Sequence, residues 1–400
     1  MPDNIIEIPE RIEIPHQVAT MMYFISERDY RCYVVGDYVK NMILGEPMGD
    51  IDIIVNAELD RLELILEEYR IIERDPKKSE MVVMAGGIPV MVSSFRCEKM
   101  PENTPVDRRT LTDELSMRDF TVNTICADRT GMIVDPFDGI SCLRRQPYIL
   151  KAVGEHEPPY KNEDGELIEP ELSIERNPLF LFKALELMGS GDYVISPKTS
   201  ECIKNNGGMA ELLSADELRT AFEKVLMSKR VSDVFIEYRN VVTAVFPELL
   251  PAVDFDQCSI FQNYTLYEHL CRSVGFSYPD LALRYALLFH GLGKPDCQAI
   301  NANGAATYYG HAERAALIAG NALRRLNASE ELIDEVAFLI NHHDMGEILE
   351  EQDAMELAEK FSRADVRKIL LLACANLRAK SETNESKAVA LKKLSEIFSR

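Results

Sequence analysis

The stretch GDYVKNMILGEPMGDID occupies residues 36–52 and joins a glycine turn to two closely spaced acids. The apolar residues of 31–35 predict a short buried strand before it, and the residues from Gly36 to Leu44 predict a short helix. A glycine turn that leads into a helix exposes backbone N–H groups, and such groups bind phosphate. The stretch therefore predicts a phosphate-binding turn between a strand and a helix.

The two acids, Asp50 and Asp52, lie in GDIDIIV, residues 49–55, whose alternation predicts a second strand. Side chains two positions apart on a strand point to the same face, so both carboxylates can hold one divalent cation. Beside a phosphate-binding turn, such a pair indicates nucleotidyl transfer. Two surface acids on an edge strand are the alternative.

The pattern around these motifs is mixed α/β in the first 150 residues and almost entirely helical from Pro178 onward. Between the two, residues 155–171 contain three prolines and seven acids, which is typical of a linker. The chain is therefore predicted to be an α+β protein with a helical second part. Further helices and strands of the first part are predicted at residues 17–28, 59–69, 81–85 and 88–95.

Composition excludes several classes of protein. The 400 residues carry 66 acidic and 44 basic side chains, and the net charge of −22 opposes nonspecific binding to a phosphate backbone. Because the start is acidic and apolar runs are far shorter than the roughly 20 residues of a membrane span, we expect a cytoplasmic protein without a membrane partner. Residues 361–400 carry nine basic and four acidic side chains, which predicts either a solvated helix or an RNA-contacting tail.

Several segments, in the right order, resemble the class II tRNA nucleotidyltransferases and bacterial poly(A) polymerases. Residues 36–52 are similar to the family pattern GGxVRDxxLGxxxxDxD, and DELSMRDFTVN at 113–123 is similar to EDLxRRDFTIN. The helical part, with FHGLGKP and YYGHAERAALIA, resembles the HD-type region that many bacterial members carry. The other similar segments are VMVSSFR at 90–96, DPFDGI at 135–140 and NPLFLFKALELM at 177–188.

The resemblance implies a polymerase β-like, mixed-sheet nucleotidyltransferase head at 1–150, a helical neck with an RNA- or nucleotide-binding segment at 151–250, and a helical HD-like body and tail at 251–400. It implies a Mg²⁺-dependent, template-independent transferase, in which Asp50 and Asp52 hold the metal. The 3′ hydroxyl of tRNA, or of another RNA, would attack ATP or CTP. The nucleotide-binding positions implied by the family are Gly36, Asp37, Lys40, Arg118, Asp119, Asn123, Asn177 and Lys183.

The chain departs from the family pattern close to the implied chemistry. Asp37 replaces the second glycine of the phosphate turn, which sets an anion toward the triphosphate. Met91 replaces the third metal-binding carboxylate, and a thioether is a poor ligand for magnesium. Asn177 and Phe180 replace the Asp and Arg that pair with the incoming base. These departures weaken the implied template for C and then A.

Five of the seven histidines lie between residues 269 and 343, a clustering suggestive of metal ligands. In HD phosphohydrolases an Asp directly follows the second His and bridges two metals, and here that position is Gly291. We therefore expect structural histidines or a mononuclear site, without phosphohydrolase activity. The five residues are His269, His290, His311, His342 and His343.

Two functions are open on the sequence alone. The first is a magnesium-dependent tRNA nucleotidyltransferase, which is favoured because Asp50, Asp52 and the MRDF segment remain. The second is a diverged relative that keeps the fold and binds nucleotide or RNA without efficient turnover, which the departures favour. A further acid folded beside the pair would favour the first function, and Glu98 and Asp119 are the candidates.

Overall fold

The structure of the protein is a computed structural model that describes residues 6–96, 105–161, 166–258, 264–302, 306–343, 351–380 and 385–397. The chain divides into two compact units. The head unit comprises Met1–Phe180 with Asp192–Cys202, and the helical unit comprises Leu181–Gly191 with Ile203–Arg400. A mixed sheet in the first unit and helices in the second confirm the predicted α+β class. The division into head, neck and body at 150 and 250 stays a prediction.

A seven-stranded mixed sheet forms the centre of the head unit. Its strands are β1 (Cys32–Val35), β2 (Ile51–Val55), β3 (Arg70–Asp75), β4 (Glu80–Ala85), β5 (Ile88–Ser94), β6 (Cys126–Ala127) and β7 (Ile133–Val134). The strand order is β3-β4-β5-β2-β1-β6-β7, in which β2 runs parallel to β5 and antiparallel to β1. The strands predicted around both motifs and the β4–β5 hairpin are confirmed.

The helices of the first part of the chain include two that contact the sheet directly, one before β1 and one after it. The helices are α1 (His16–Ser26), α2 (Asp37–Leu44), α3 (Leu59–Ile65), α4 (Leu111–Ser116), α5 (Gly139–Cys142), α6 (Ser173–Arg176), α7 (Pro178–Ser190) and α8 (Pro197–Asn205). Four short strands complete this part, β8 (Tyr148–Leu150), β9 (Tyr160–Lys161), β10 (Leu167–Ile168) and β11 (Tyr193–Ile195). Strand β8 pairs parallel with β11, and β9 pairs antiparallel with β10.

Alternation along β2 sets the position of Asp52. Ile51 and Ile53 point to one buried face of the sheet, and Asp52 and Ile54 point to the other. On that second face Ile54 packs in an apolar cluster with Val35 and neighbouring side chains of the head unit, while Asp52 is half-buried. The Asp52 carboxylate therefore lies at the border of an apolar core, and this partial burial raises the pKa of the carboxyl group.

The helical unit is built from helices joined by short connections. Its helices are α9 (Ala215–Leu226), α10 (Val231–Glu237), α11 (Arg239–Val245), α12 (Leu266–Phe276), α13 (Leu281–Phe289), α14 (Lys294–Cys297), α15 (His311–Arg325), α16 (Glu330–Asn341), α17 (Glu351–Ala358), α18 (Arg363–Lys380) and α19 (Glu385–Ile397), with the strands β12 (Ala299–Ile300) and β13 (Ala306–Thr307). No helix in the described part of the chain combines the length and the apolar content that a bilayer span needs.

Candidate active site

The turn at Gly36 connects the end of β1 to the start of α2. Gly36 has φ 80° and ψ −149°, a backbone conformation that residues with a Cβ rarely adopt. A Cβ built on Gly36 would also lie 3.2 Å from Oδ2 of Asp52. Glycine is therefore required here for two reasons, since it permits the turn and lets the backbone approach the carboxylate. The first N–H groups of α2 follow directly, as a phosphate-binding turn needs.

Asp37, the residue that replaces a family glycine, forms an ion pair within the turn. Nζ of Lys40 lies 2.6 Å from Oδ1 of Asp37, whose side chain is 71% exposed while that of Lys40 is 14% exposed. Burial acts to lower the pKa of Lys40, but the hydrogen bonds with Asp37 and with the Tyr193 hydroxyl outweigh it, so the pKa is raised. The ammonium of Lys40 therefore offsets much of the negative charge that Asp37 brings to the turn.

Asp50 and Asp52 lie at the start of β2. The strand begins at Ile51, so Asp50 is the residue just before it and is exposed, whereas Asp52 is half-buried opposite Val35 of β1. Burial, against the opposing charge of Arg118 and together with the charges of Asp50 and Asp37, raises the pKa of Asp52 to about 6. The charges of Asp50 and Asp37 thus act on Asp52 at the start of β2, which favours a bound cation.

Met91 is the register partner of Asp52 on the parallel strand β5. Paired residues of neighbouring strands carry their side chains on the same face, so the thioether stands beside Asp52 where the resemblance implies a third acid. Glu80 of β4 also raises the pKa of Asp52 through its charge, a neighbour that the sequence did not reveal. Among the residues described, no third His, Cys, Asp or Glu is arranged with Asp50 and Asp52 as a metal ligand.

Glu98 and Asp119 are the two candidates to replace the third metal-binding acid. Glu98 lies outside the described residues. Asp119 is described, and its Oδ1 accepts hydrogen bonds from the backbone N–H of Phe120 at 2.7 Å and from Nδ2 of Asn123 at 2.8 Å. Because that oxygen holds the turn at 119–123 together, the carboxylate of Asp119 serves the local fold. The hydrogen bond from Nδ2 of Asn123 to Asp119 also fixes the side chain of Asn123.

Two carboxylates fit magnesium, although three would bind it more strongly. Magnesium is usually bound through one or two carboxylates together with substrate phosphates and water, and it prefers oxygen ligands. Asp50 and Asp52 provide such oxygens beside the turn that begins α2, and the pKa of Asp52 is raised mainly by burial and further by the charges of neighbouring acids. The donor set therefore suits a hard divalent cation that is completed by the phosphates of a nucleotide.

Two arginines, Arg96 and Arg118, share one buried acid, Glu114. The side chain of Glu114 in α4 has no exposed surface, and its Oε1 lies 3.0 Å from Nη2 of Arg96 and 3.9 Å from Nη2 of Arg118. Arg118 donates from Nη1 to the carbonyl oxygen of Asn123 at 3.4 Å. The positive charge of Arg118 also lowers the pKa of Asp52, so this guanidinium acts electrostatically on the site formed by Asp50 and Asp52. Glu114 and Arg96 were missed by the sequence reasoning, although both lie in family-like segments.

The two remaining nucleotide-binding candidates lie at α7. Oδ1 of Asn177 accepts the backbone N–H of Leu179 at 3.0 Å, so this amide caps the N-terminus of the helix. Lys183 belongs to the helical unit, where its Nζ lies 3.7 Å from Oε2 of Glu186. Within the head unit, the structure brings together Gly36, Asp37, Lys40, Asp50, Asp52 and Arg118, with Asp119 and Asn123 in the turn beside Arg118.

Comparison with known proteins finds similarity to a polymerase head domain and to CCA-adding enzymes. Residues 32–148 match the family model described as the poly A polymerase head domain. The CCA-adding enzyme of Geobacillus stearothermophilus is 28% identical over 208 residues, which are 50% of this chain and 47% of that enzyme. The CCA-adding enzyme of Anoxybacillus flavithermus is 27% identical over 239 residues, 58% of this chain and 56% of the enzyme. The chain spans about half the length of the curated relatives it matches.

Solved structures extend the likeness in fold to nearly the whole chain. The Bacillus stearothermophilus CCA-adding enzyme in complex with CTP has a TM-score of 0.60 at 19% identity, covering 96% of this chain and 81% of the other. The Thermotoga maritima CCA-adding enzyme complexed with tRNA has a TM-score of 0.55 at 16% identity, covering 96% and 82%. The resemblance predicted from the motifs is confirmed: residues 32–148 match the poly A polymerase head domain, and the chain is similar to CCA-adding enzymes in sequence over about half of its length and in fold over nearly all of it.

Proposed function

We propose that the protein is a magnesium-dependent, template-independent nucleotidyltransferase that extends the 3′ end of tRNA with nucleotides from CTP and ATP. The observation that carries this proposal is the approach of the Gly36 turn to the carboxylate of Asp52, with Asp50 and Arg118 beside it. The names of the relatives support the same reaction, since they are CCA-adding enzymes. A cytoplasmic location stays a prediction.

The reaction would join the 3′ oxygen of the RNA to the α-phosphorus of the nucleotide and release pyrophosphate. Magnesium held by Asp50 and Asp52 would supply charge neutralisation and would lower the pKa of the attacking hydroxyl. The N–H groups at the start of α2 would bind the triphosphate, and Arg118 would add positive charge next to Asp52. Most of the catalysis would come from positioning and electrostatics.

The remaining candidates would orient the nucleotide. Asp119 and Asn123, joined by a hydrogen bond of 2.8 Å, would face the ribose, and Lys40 would contact phosphate after release from Asp37. The NH₂ group of Asn177 would meet a base edge, because the oxygen of its amide caps α7. We further propose that Lys183 contributes positive charge to nucleotide binding. Each role follows from the family pattern together with the contacts described above.

A second function is favoured by the pair formed by Asp52 and Met91. With a thioether at the register position next to Asp52, the site holds two acids, and its magnesium affinity would be lower than that of a three-acid site. The protein would then bind nucleotide or RNA without efficient turnover. This alternative keeps the same fold and the same ligands, so only a turnover measurement separates it from the first function.

The deciding experiment uses tRNA that lacks its 3′ terminal nucleotides. Purified protein is incubated with this tRNA, magnesium and each radiolabelled nucleoside triphosphate in turn, and the products are resolved on a denaturing gel. Addition of label from CTP, and of label from ATP when unlabelled CTP is also present, is the expected result. If the protein binds CTP or tRNA in a titration but adds no label within hours at high enzyme concentration, the non-catalytic alternative is correct. If it neither binds nor extends tRNA, the proposed substrate is wrong.

A further inference from the structure

Three hydrogen bonds fix Arg96 to the buried carboxylate of Glu114. The backbone N–H of Arg96 donates to Oε2 of Glu114 at 2.5 Å, Nε donates to the same oxygen at 3.4 Å, and Nη2 donates to Oε1 at 3.0 Å. Glu114 belongs to α4, whose N-terminus is capped by Thr110 and Asp113. Because the main chain and the guanidinium of Arg96 both bond to one buried side chain, Glu114 sets the direction of the Arg96 side chain.

Arg118 lies beside Arg96 because it approaches the same oxygen. Nη2 of Arg118 is 3.9 Å from Oε1 of Glu114, and Nη2 of Arg96 is 3.0 Å from that oxygen. The two nitrogens are therefore no farther apart than the sum of these distances. Two donors that each bind one oxygen of the same phosphate at about 2.8 Å lie roughly 4–8 Å apart. The two arginines thus have a spacing that one phosphate group can bridge.

The two arginines differ in how far solvent can reach them. The side chain of Arg96 is 49% exposed, that of Arg118 is 16% exposed, and that of Glu114 is fully buried. A ligand that arrives from solvent therefore meets Arg96 first, with Arg118 behind it. One arginine would suffice to neutralise the buried acid, so the second guanidinium is not needed for that purpose.

The charges around Arg118 link this cluster to the metal-binding acids. Burial lowers the pKa of Arg118, the charge of Glu114 opposes this effect, and the charge of Arg96 lowers the pKa again. The charges of Asp119 and Asp52 raise it. A metal ion held by Asp52 would take that carboxylate out of this balance. The guanidinium groups would then attract a further anion more strongly than they do without the metal.

We propose that Arg96 is a further phosphate-contacting residue of the nucleotide site, next to Arg118, and that Glu114 is the positioning residue that holds both guanidinium groups. This inference rests on the proposed function, which places a metal ion and a triphosphate at Asp50 and Asp52. The phosphate would belong to the nucleotide, because Arg118 acts electrostatically on Asp52. A planar guanidinium can bind a carboxylate and a phosphate through different N–H groups, which suits arginine for this place.

Binding of inorganic tripolyphosphate tests the inference without a nucleobase and without turnover. The full chain is titrated with tripolyphosphate in the presence of magnesium, and the heat of binding gives Kd. Arg96→Gln should raise Kd about fivefold, since it removes one half-exposed charged contact. Arg96→Lys should give an intermediate Kd, because lysine keeps the charge and lacks the planar fork. An unchanged Kd for Arg96→Gln would overturn the proposal.

Arg74→Gln is the matched control for the loss of one positive charge. Arg74 belongs to β3 of the same sheet, its side chain is 32% exposed, and its Nε lies 3.2 Å from Oε2 of Glu63. This variant should bind tripolyphosphate with the wild-type Kd. An equal loss of affinity in Arg74→Gln and Arg96→Gln would mean that overall charge, and not the arginine pair, attracts the anion.

Glu114→Gln tests the positioning role, because charge and positioning predict opposite signs. Removal of a nearby acid should by itself tighten the binding of an anion. Loss of positioning should instead weaken the binding of tripolyphosphate, and we expect a Kd at least fivefold higher in the folded variant. Asp113→Asn loosens the cap of the same helix and should leave Kd unchanged. Tighter binding by Glu114→Gln would refute the positioning role. If this variant does not fold, the two Arg96 variants still decide the phosphate contact.

Binding of tRNA in the absence of nucleotide separates the two sources of phosphate. By fluorescence anisotropy, Arg96→Gln should bind labelled tRNA with a Kd within about twofold of the wild type, since the lost contact is to the nucleotide. Weaker tRNA binding together with unchanged tripolyphosphate binding would assign Arg96 to the RNA backbone and contradict the proposal. If the wild type binds no tripolyphosphate below about 5 mM, the inference is wrong, whether or not the protein extends tRNA.

Discussion

The ionisation of Asp52 should make metal binding by Asp50 and Asp52 sensitive to pH near 6, where an aspartate with the ordinary pKa of 3.8 stays ionised. Burial at the border of the apolar cluster, reinforced by the charges of Asp50 and Asp37, raises the pKa of Asp52 to about 6. A carboxylate must be ionised to bind a metal ion, so binding competes with the proton. The affinity for the metal ion should therefore reach its full value well above pH 6 and should decrease as the pH falls through 6.

The size of this effect follows from the fraction of Asp52 that is ionised. With a pKa of about 6 the carboxylate is about 97% ionised at pH 7.5 and about 24% ionised at pH 5.5. Metal affinity should therefore fall about fourfold between these two values. With the ordinary pKa of 3.8, Asp52 would be almost fully ionised at both pH values and the affinity would not change. Both pH values, 5.5 and 7.5, lie above the sequence pI of 4.8, so the net charge of the protein stays negative.

The assay titrates manganese(II), as a substitute for magnesium, and follows the free ion by electron paramagnetic resonance. Asp52→Asn removes the titrating carboxylate, so the difference between wild type and variant isolates binding at this site from binding elsewhere in the protein. We expect a fourfold weaker wild-type affinity at pH 5.5 and a weak, nearly constant affinity for Asp52→Asn. An unchanged wild-type affinity at the two pH values would refute the argument from burial and neighbouring acids.

Three further variants test the surroundings of the site. Glu114→Gln removes the buried charge that holds Arg96, so urea unfolding should show a loss of about 2–3 kcal/mol; an unchanged midpoint would contradict the ion pair. Gly36→Ala should cost about 1–2 kcal/mol in the same assay because φ is positive there, whereas a neutral result would mean that the turn relaxes freely. Asp37→Asn frees the ammonium of Lys40 and should tighten binding of a nonhydrolysable CTP analogue about threefold by calorimetry; weaker binding would make Asp37 a metal ligand.

The strand, turn and helix around Gly36 could be predicted because local chemistry determines them. A positive φ needs glycine, and the apolar residues of β2 are buried on both faces with Asp52 half-buried among them, so residues 31–55 fold as their pattern indicates. The short strand β3 was not predicted. Its sequence RIIERD is mostly exposed, so it lacks the alternation that marks a half-buried strand, and pairing with β4 is what makes it a strand.

Contacts between distant segments account for what the sequence did not predict at the site. Glu114 reads as one acid among many, and only the fold buries it beneath Arg96 and Arg118. Asp37 and Lys40 are three residues apart on a helix, a spacing that allows an ion pair, but the strength of this pair depends on how far the fold buries Lys40. Such pairings depend on three-dimensional proximity, for which a single sequence has no local signal.

The pairing of the histidines was predicted only as a cluster in sequence. Five histidines within a helical segment indicate possible ligands, but the spacing does not say which rings face each other. In the structure His342 turns into an aromatic cluster while its neighbour His343 meets His311. The choice between two adjacent histidines depends on where α16 ends, and element ends are the least predictable feature of a sequence.

Nucleotide incorporation by variants of the two acids tests the central claim most directly. The wild type, Asp50→Asn, Asp52→Asn and the control Asp60→Asn, an exposed acid of α3, are compared for addition of labelled CMP and AMP to tRNA lacking its 3′ end. Wild type and Asp60→Asn should extend the tRNA at the same rate, and each site variant should be slower by at least 100-fold, which is about 2.7 kcal/mol of transition-state stabilisation. Extension at the wild-type rate by either Asp50→Asn or Asp52→Asn would contradict the assignment of this site.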